Sequence, residues 1–378
     1  MTPVRRKLLV VGSSLGEGGA QRVTSTLLQH LSRDALDIAL CLFKPVIDFP
    51  VPDDVAVTTL FDRDVSIGAE PWLIPTALVR LRRALGEHRP DVVLSVIDQV
   101  NLLVAVALRS LRVPVRWIAR VGTNPDYQGT AQRLAAGRAY RRADRVIANA
   151  AGLARALAAL YPRVADRITH LANPTDFARI DALAALPPSH ARDRHGGDPP
   201  RSLIVAVGRL VPEKRPDLLV EAAAALKPRR RFELWICGDG PLTGRVERQI
   251  RVRGLQDQVR LLGFCRNPYA ILAQADAFVM TSDIEGLPNG LIEAQGLGVP
   301  AVATDCPHGP GEIILHGETG FLAPVGDSGA VAEALDKLLS DDARRAEMGR
   351  VAAQRTRARY SVESLMATWD QLVTGRLP

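Results

Sequence analysis

Cysteines and aromatic residues are scarce in this sequence, and long apolar runs are absent. The four cysteines (Cys41, Cys237, Cys265 and Cys306) lie far apart and show neither a C-x-x-C pattern nor metal-ligand spacing. Free thiols in a reducing compartment are therefore expected. Aromatic residues make up 4% of the chain, and no RNA-stacking motif occurs. No apolar run approaches the roughly 20 residues that cross a bilayer.

The first residues have some features of a signal peptide. Residues 5–7 are basic and residues 8–11 are apolar. This apolar stretch is too short for a signal sequence, and it leads directly into a glycine-rich loop. We expect a first buried strand there, and a protein that stays in the cytoplasm.

The net charge of +7 is unevenly distributed along the 378 residues. Residues 1–181 contain 24 Lys/Arg and 17 Asp/Glu, whereas the remainder contains 24 of each. A basic surface could meet an anionic membrane, a diphosphate-linked lipid or nucleic acid, and it could also be an ordinary solvated surface. We expect the protein to bind an anionic membrane surface, as a peripheral protein on the inner face of the membrane. We do not expect it to bind nucleic acid.

Short apolar segments alternate with helical segments throughout the chain, which predicts an α/β fold. Predicted strands are 7–12, 37–43, 55–60, 92–96, 115–119, 145–148, 202–207, 233–237, 259–262, 277–280, 300–304 and 320–324. Predicted helices include 20–31, 72–86 and 130–141. We expect two Rossmann-like, doubly wound domains that face a central cleft.

A segment rich in proline and glycine, 186–200, separates the two predicted domains and indicates an exposed linker. It contains His190 and His195, but no partner is spaced to complete a metal site with them. Within 362–375, four apolar residues share one helical face: Leu365, Trp369, Leu372 and Val373. The predicted organisation is an N-terminal domain at 1–181, a linker at 182–200, a C-terminal domain at 201–358, and a helix within 359–378 that packs back on the N-terminal domain.

Two acidic residues, Glu285 and Glu293, follow the predicted strand 277–280. The intervening Gly, Pro and Asn place Glu285 in a loop at the carboxyl end of the strand and Glu293 about two turns inside the next helix. Ligands bind at this edge of open α/β sheets, where two carboxylates could hold the hydroxyls of a sugar and of a ribose. The alternative is a loop acid and a solvated helix acid, because this spacing alone is a weak signal.

Two cations, Arg209 and Lys214, follow the predicted strand 202–207 and precede a helix. Cations beside a cleft can neutralise a diphosphate, and they stabilise the charge that grows on it as a leaving group. They could therefore make a metal ion unnecessary. Surface charge is the alternative, although the helix dipole disfavours cations at a helix start.

The first predicted strand ends in a glycine-rich loop in which Gly18 and Gly19 precede a helix. Backbone amides in such a turn can approach a phosphate. The loop lacks the G-K-[ST] of a P-loop, and the second strand lacks the acid of a dinucleotide site. A plain glycine turn remains the alternative. The D-x-D at Asp62 and Asp64 is too common a tripeptide to predict a metal site.

Taken together, these motifs resemble the retaining glycosyltransferases of family 4, which have the GT-B fold. The matching segments are 16–22, 208–214, 238–241, 285–294 and 305–310. The variant Asp305-Cys306-Pro307 is similar to bacterial enzymes of polysaccharide and lipid-linked oligosaccharide synthesis.

The resemblance implies a retaining, metal-independent hexosyltransferase with no cofactor. The donor would be a UDP-sugar of the GlcNAc, GalNAc, Glc or Gal type. The acceptor would be a glycan or a polyprenyl-diphosphate-linked glycan of lipopolysaccharide or capsule synthesis. Two alternatives remain open: a UDP-sugar epimerase of the same fold, and a nucleotide-sugar-binding subunit without turnover.

The resemblance also implies roles for single residues. Arg209 and Lys214 would bind the diphosphate. Glu293 would hold the ribose and Glu285 the transferred sugar, for which no nucleophile is assigned. Other donor contacts would come from Gly18, Gly19, Phe264, Gly286, Leu287, Pro288 and Asn289. On the acceptor side, Asp98 is the candidate base or anchor, with Arg120 and Asn124 as similar candidates. His308 and Gly311 depart from the serine and arginine that many relatives carry.

Overall fold

The computed structural model describes residues 5–375 except 17, 66–67, 110–113 and 193–200. The chain divides into two compact units, Met1–Thr175 with Val362–Pro378 as the first and Asp176–Ser361 as the second. The divisions follow residues 175 and 361, whereas the sequence prediction placed them at 181 and 358. Of the predicted linker, residues 193–200, including His195, lie outside the described residues.

The first unit is a seven-stranded parallel sheet with the order β3-β2-β1-β4-β5-β6-β7. Its strands are β1 Arg6–Gly12, β2 Leu36–Leu42, β3 Ala56–Thr59, β4 Val92–Ser95, β5 Arg116–Val121, β6 Arg145–Ala148 and β7 Ile168–His170. Its helices are α1 Gly19–His30, α2 Ile74–His88, α3 Asp98–Leu108, α4 Thr130–Tyr140, α5 Ala151–Leu160 and α14 Val362–Thr374. The central strand β1 is buried on both faces, which explains its unbroken apolar sequence.

Helices cover both faces of this sheet. Because β-α-β crossovers are right-handed, the connections that run from β3 through β7 place α2, α3, α4 and α5 on one face, and α1 lies on the other. Contacts join α2 to α3 and α3 to α4, and they join α1 to α14. Trp369 of α14 is fully buried, and its indole N–H donates to the carbonyl of Ala172 at 3.4 Å. Helix α14 thus contributes to the core of the first unit.

The second unit is a six-stranded parallel sheet with the order β10-β9-β8-β11-β12-β13. Its strands are β8 Ser202–Val207, β9 Phe232–Cys237, β10 Val259–Gly263, β11 Ala277–Met280, β12 Ala301–Thr304 and β13 Gly320–Ala323. Its helices are α6 Phe177–Ala184, α7 Pro216–Leu226, α8 Thr243–Val252, α9 Tyr269–Leu272, α10 Asn289–Gly296, α11 Pro310–Ile313, α12 Ser328–Leu338 and α13 Asp342–Tyr360. Among the described residues of both units, no helix has the length and apolar character needed to cross a membrane.

Both sheets have the strand order of a doubly wound fold, so the predicted α/β class is confirmed. In each sheet the first strands are added successively towards one edge, and the later strands are added towards the other edge. The reversal falls between β1 and β4 in the first unit and between β8 and β11 in the second. At such a switch point the loops after the two strands diverge and leave a crevice for a ligand.

Candidate functional site

Two loops meet at the switch point of the second unit. One follows β8 and contains the 3-10 turn Pro212–Lys214, and the other follows β11. The N–H of Asp283 donates to the carbonyl of Glu213 at 2.9 Å. The hydroxyl of Thr281 lies 3.0 Å from the carbonyl of Arg215, to which it donates. The predicted cation loop and the predicted acid loop are therefore joined.

Lys214 and Glu285 form an ion pair between these loops. The ammonium of Lys214 donates to Oε1 of Glu285, and the hydroxyl of Ser282 donates to the same oxygen at 2.7 Å. Glu285 is only 8% exposed. Burying an ion pair costs desolvation energy and is weak evidence for stabilisation of the fold. A role in ligand binding explains the pair better, since it holds an ammonium and a carboxylate in position for a ligand.

Arg215 fixes the geometry of the same two loops. Its backbone is left-handed, with φ of 49°, a conformation that costs a non-glycine residue roughly 1–2 kcal/mol. Its guanidinium is 3.1 Å from Asp217 and 3.2 Å from Asp283. These hydrogen bonds raise the pKa of Arg215, and the bond to Asp217 contributes most. Arg215 thereby holds the turn that ends in Lys214 against the loop that leads to Glu285.

Glu293 lies in the second turn of α10 and is 2% exposed. The start of this helix lies against the end of β8, because a Cβ added at Gly290 would be 3.6 Å from the carbonyl oxygen of Val207. The segment before it includes Leu287 and Pro288, which are buried. Helix α10 therefore brings Glu293 to the edge of the sheet that also carries Arg209 and Lys214.

Glycines allow four loops of this edge to touch in pairs through their backbones. A Cβ at Gly238 would overlap the carbonyl oxygen of Gly208. Gly309 has φ of 81°, and a Cβ there would lie 2.6 Å from the carbonyl oxygen of Gly286. The carboxylate of Asp239 accepts from the N–H of Gly240 at 2.7 Å and from the hydroxyl of Thr243 at 2.5 Å. Asp239 thereby stabilises its own loop.

Two exposed side chains at this edge are available to a ligand. Arg209 projects into solvent, and its nearest acidic oxygen, on Glu213, is 3.7 Å away. Phe264 follows Gly263 at the end of β10 and is 53% exposed. At this edge Phe264 offers a stacking surface for a planar base, and Arg209 offers donors for a phosphate.

A cavity of about 480 Å³ lies in the first unit at the switch point between β1 and β4. The lining residues follow the ends of the four neighbouring strands β3, β2, β1 and β4: Ser13, Ser14, Gly16, Gln21, Phe43, Lys44, Val46, Asp48, Val65, Ile97, Gln99, Val100 and Leu103. Lys44 is paired with Asp64 at 2.6 Å, so this acid of the D-x-D tripeptide already has a cationic partner. This cavity could not be predicted from the sequence, because its lining residues come from loops up to about 90 residues apart.

The glycine loop of the first unit borders the cavity. Gly18 has φ of 138°, and a Cβ there would lie 2.5 Å from the side-chain oxygen of Gln21. Helix α1 begins at Gly19. Glu17, also part of the matching segment, lies outside the described residues.

Asp98 is the first residue of α3 and takes part in a polar network inside the first unit. The phenol of Tyr140 donates to its carboxylate at 3.1 Å. Burial raises the pKa of Asp98 to about 6, although hydrogen bonds from Tyr140 and Thr123 and the charge of Arg120 act in the opposite direction. Ile97 and Gln99 line the cavity, whereas Asp98 is not among the lining residues.

Arg120 and Asn124, the other candidates on the acceptor side, are also buried. The guanidinium of Arg120 donates to the side chain of Asn173, and burial lowers the pKa of Arg120 to about 10. The side-chain oxygen of Asn124 accepts from the N–H of Asp126 at 3.0 Å. Tyr140 and Asn173 were not predicted, because no local spacing in the sequence connects them to Asp98 or Arg120.

The structure thus brings together some of the predicted residues. Lys214 and Glu285 are bonded, and Arg209, Phe264, Glu293 and residues 286–289 lie at the same edge of the second sheet. Gly18, Gly19 and Asp98 belong to the first unit. No group of three or more His, Cys, Asp or Glu in the described part of the chain is arranged to hold a metal ion.

Two known sequence families match this chain. The profile of Glycosyltransferase Family 4 matches residues 17–179, and that of Glycosyl transferases group 1 matches residues 190–355. Together the two matches cover most of the chain. The chain belongs to family 4 of the glycosyltransferases and has their GT-B fold.

Individual relatives agree with this assignment. Exopolysaccharide phosphotransferase SCO2592 of Streptomyces coelicolor is 39% identical over 173 residues, which are 45% of this chain and 18% of that protein. The chain therefore spans less than a fifth of this relative. The N-acetylgalactosamine-N,N'-diacetylbacillosaminyl-diphospho-undecaprenol 4-alpha-N-acetylgalactosaminyltransferase of Campylobacter jejuni is 27% identical over 365 residues, 93% of this chain and 95% of that one.

A solved structure shows the same fold. Alr3699/HepE of Anabaena, in complex with UDP, matches with a TM-score of 0.75 and 20% identity over 98% of this chain and all of that chain. The predicted family, fold and enzyme class, a hexosyltransferase, are confirmed by these comparisons.

Proposed function

We propose that this protein transfers a hexose from a UDP-sugar to a glycan or polyprenyl-diphosphate-linked acceptor in bacterial cell-surface polysaccharide synthesis. The transfer retains the anomeric configuration and needs no metal ion or other cofactor. The observation that carries the proposal is the Lys214–Glu285 pair at the switch point of the second sheet. The diphospho-undecaprenol acceptor in the name of the Campylobacter relative and the UDP in the Anabaena complex support it.

The donor would be held by residues of the second unit. Lys214 has three N–H donors and uses one on Glu285, which leaves two for phosphate oxygens. Arg209 would approach the diphosphate from solvent. As the sugar leaves, negative charge grows on the diphosphate, and cations already in position lower the barrier. This charge stabilisation is the reason for proposing a metal-independent reaction.

Glu285 and Glu293 would position the donor by accepting hydrogen bonds from hydroxyls. Glu285 would meet the transferred sugar together with the backbone of residues 286–289, and Glu293 would hold the ribose. Phe264 would lie against the base. Precise positioning of the sugar relative to the diphosphate is worth several powers of ten in rate.

Substitution of Lys214 and Glu293 tests the donor site. Purified protein is incubated with a panel of UDP-sugars and lipid-diphosphate glycans, and products are identified by mass spectrometry. Lys214→Ala is expected to lower kcat by roughly 10²–10³, because it removes one donor to the developing charge. Glu293→Gln is expected to raise the Kd for UDP. Lys227→Ala, whose ammonium binds the carbonyl of Gly254 on the surface, is the matched control. Unchanged turnover in Lys214→Ala would refute this assignment.

The same assay separates the alternatives. Release of an altered free nucleotide sugar in the absence of acceptor would indicate an epimerase. UDP binding without transfer to any acceptor would indicate a binding subunit. The anomeric coupling constant of the product, measured by NMR, tests retention, and an inverted product would refute that part of the proposal. Turnover that is lost in EDTA and restored by a divalent cation would refute metal independence.

The acceptor would enter the cavity of the first unit. Its lining combines amide, hydroxyl and carboxylate groups with the apolar side chains of Phe43, Val46 and Leu103. Sugar rings have hydroxyl edges and apolar faces, and this mixed lining suits both. Gln99→Ala is expected to raise the acceptor KM several-fold, because it removes hydrogen bonds, without changing the Kd for UDP. An acceptor KM equal to that of the parent protein would exclude Gln99 from the acceptor site.

An acceptor linked to polyprenyl diphosphate is held in a membrane. We therefore also propose that the protein works in the cytoplasm as a peripheral protein on the inner face of the membrane. The excess positive charge of residues 1–181 supports this location, since anionic lipids attract basic surfaces.

A further inference from the structure

Positive charge is concentrated in one segment of the first unit. Residues 99–165 contain two acidic residues, Asp126 and Asp144, and no lysine. They contain eleven arginines: Arg109, Arg112, Arg116, Arg120, Arg133, Arg138, Arg141, Arg142, Arg145, Arg155 and Arg163. The excess of this segment is larger than the net charge of +7 of the whole chain. The excess positive charge of the protein is therefore concentrated in one segment of the sequence.

Helices α3, α4 and α5 of this segment lie in the helical layer α2–α5, on one face of the seven-stranded sheet, whereas Arg116, Arg120 and Arg145 belong to strands β5 and β6. Helices α4 and α5 contain no acidic residue. The exposed arginines of the layer include Arg109, Arg138, Arg141, Arg142 and Arg155. On the opposite face, α14 contains Glu363 and Asp370 and no basic residue. Helix α14 thus lacks the positive charge that α4 and α5 carry.

The two acidic residues of the segment do little to neutralise it. Asp144 accepts from the backbone N–H of Trp117 at 2.7 Å. Asp126 is exposed, and its carboxylate is 4.0 Å from Arg133. Cations at the carboxyl end of a helix interact favourably with its dipole, which accounts for Arg138 and its neighbours in part. The dipole does not account for the apolar residues on the same face.

Large apolar side chains project from this layer into solvent. Trp72, in the 3-10 turn before α2, is 68% exposed, Val79 of α2 is 64% exposed, and Leu134 of α4 is 55% exposed. Val106 of α3 is also exposed. Apolar side chains and a tryptophan among arginines are typical of surfaces that enter the headgroup region of a bilayer.

We propose that the outer face of the α2–α5 layer docks on a bilayer that contains anionic phospholipids. The arginines bind lipid phosphates through paired N–H donors, and Trp72, Val79, Val106 and Leu134 enter the interface. The inference rests on the proposed function, since docking would bring the first unit to its lipid-linked acceptor. Charge complementarity with anionic headgroups selects the bilayer as the partner.

Vesicle flotation of the full chain tests this surface. Vesicles of phosphatidylcholine with phosphatidylglycerol are compared with vesicles of phosphatidylcholine alone. The parent protein is expected to float with the anionic vesicles only and to be released by salt. The triple variant R138Q/R141Q/R142Q is expected to bind roughly a hundredfold more weakly, since each arginine near an anionic surface contributes about fivefold. The triple variant R248Q/R251Q/R344Q removes the same charge from exposed positions of the second unit and is expected to bind normally.

The apolar contribution is tested with Leu134→Asn, which is expected to weaken binding without changing its salt dependence. Equal losses in the two triple variants, or equal flotation with neutral vesicles, would overturn the proposal. Tight binding of duplex DNA without vesicle binding would overturn it as well.

Transfer to a water-soluble acceptor analogue separates this inference from the proposed function. If R138Q/R141Q/R142Q retains this transfer activity, the result supports a docking role for the arginines. If the parent protein lacks the activity, the result would count against the proposed function itself.

Discussion

At the scale of single residues, Asp98 shows how burial changes the chemistry of a group. The first turn of α3 places its carboxyl beside Tyr140, where the residue is half-buried. Loss of hydration outweighs the hydrogen bonds and the charge of Arg120, so the pKa of Asp98 rises to about 6. The folded protein therefore holds this proton over a pH range in which the unfolded chain releases it.

Asp98→Asn is expected to change the pH dependence of stability. Between about pH 4 and pH 6 the folded state binds more protons at Asp98 than the unfolded state does, so this group lowers stability as pH rises through that window. The loss is at most about 3 kcal/mol above pH 6. Asparagine keeps an acceptor for Tyr140 and removes the charge. Urea unfolding from pH 4 to pH 8 checks this: the variant should gain stability over the parent protein as pH rises, and a constant difference would contradict it.

The roles of single residues were only partly predictable from sequence. The strand-loop-helix pattern was sufficient to place Glu285 and Glu293 at a ligand-binding edge. It could not show that Lys214 bonds to Glu285, because the two are 71 residues apart and meet only through the order of the strands. Arg215 gave no signal either. Its importance lies in a left-handed backbone and in bonds to Asp217 and Asp283.

At the scale of elements, the loops of the second unit are held by backbone contact. Gly309, at the start of α11, lies against Gly286 and Pro288 in the loop that leads into α10. A side chain would separate these loops, and the 286–289 backbone is part of the proposed donor site. The absence of a side chain at Gly309 therefore sets the shape of this loop.

A pair of glycine substitutions separates strain from collision. Gly309 and Gly326 have nearly equal φ angles of 81° and 80°. A Cβ at Gly309 would lie 2.5 Å from Pro288, whereas a Cβ at Gly326 would meet nothing within 4 Å. The left-handed backbone should cost both alanine variants about 1–2 kcal/mol of stability, and Gly309→Ala should lose more because of the collision. Only Gly309→Ala should also bind UDP more than tenfold more weakly in calorimetry. Equal UDP affinities would show that the loop tolerates the displacement.

Strands that are buried on both faces were predicted best. The segments 145–148, 202–207 and 277–280 coincide with β6, β8 and β11, because an unbroken apolar run has only one good explanation in a parallel sheet. The edge strand β7 was missed, since its three residues are at most half-buried and carry no such run. Helix α2 begins at Ile74, two residues after the predicted start, because a separate 3-10 turn contains Trp72.

At the scale of the whole molecule, α14 follows the second unit in sequence but belongs to the first. Trp369 is among the largest fully buried side chains of the protein, and the carboxylate of Asp370 accepts from the N–H of Ser32 at 2.9 Å. Residues 362, 366, 369, 372 and 373 share one core with β1 and α1. Helix α14 is thus part of the structure that stabilises the first unit.

Trp369→Ala is expected to destabilise the first unit by about 3–5 kcal/mol, as large truncations in a core do. Trp72→Ala is the matched control, because the same side chain is largely exposed there and its loss should cost little. Hydrogen exchange followed by mass spectrometry locates the effect. Protection should fall in the strands β1 to β7 and remain in β8 to β13. A uniform loss, or similar losses in the two variants, would contradict this account.

The bond between Ser32 and Asp370 also has a consequence during synthesis on the ribosome. The two residues are separated by 338 positions. At the usual 5–20 residues per second, α14 emerges roughly 15–70 seconds after α1. Throughout that interval the nascent first unit lacks its last core helix, and apolar residues of α1 such as Val23 and Leu27 are without part of their covering. The first unit therefore begins to be translated before the second but is completed after it. Chaperones would act while its core is only partly covered.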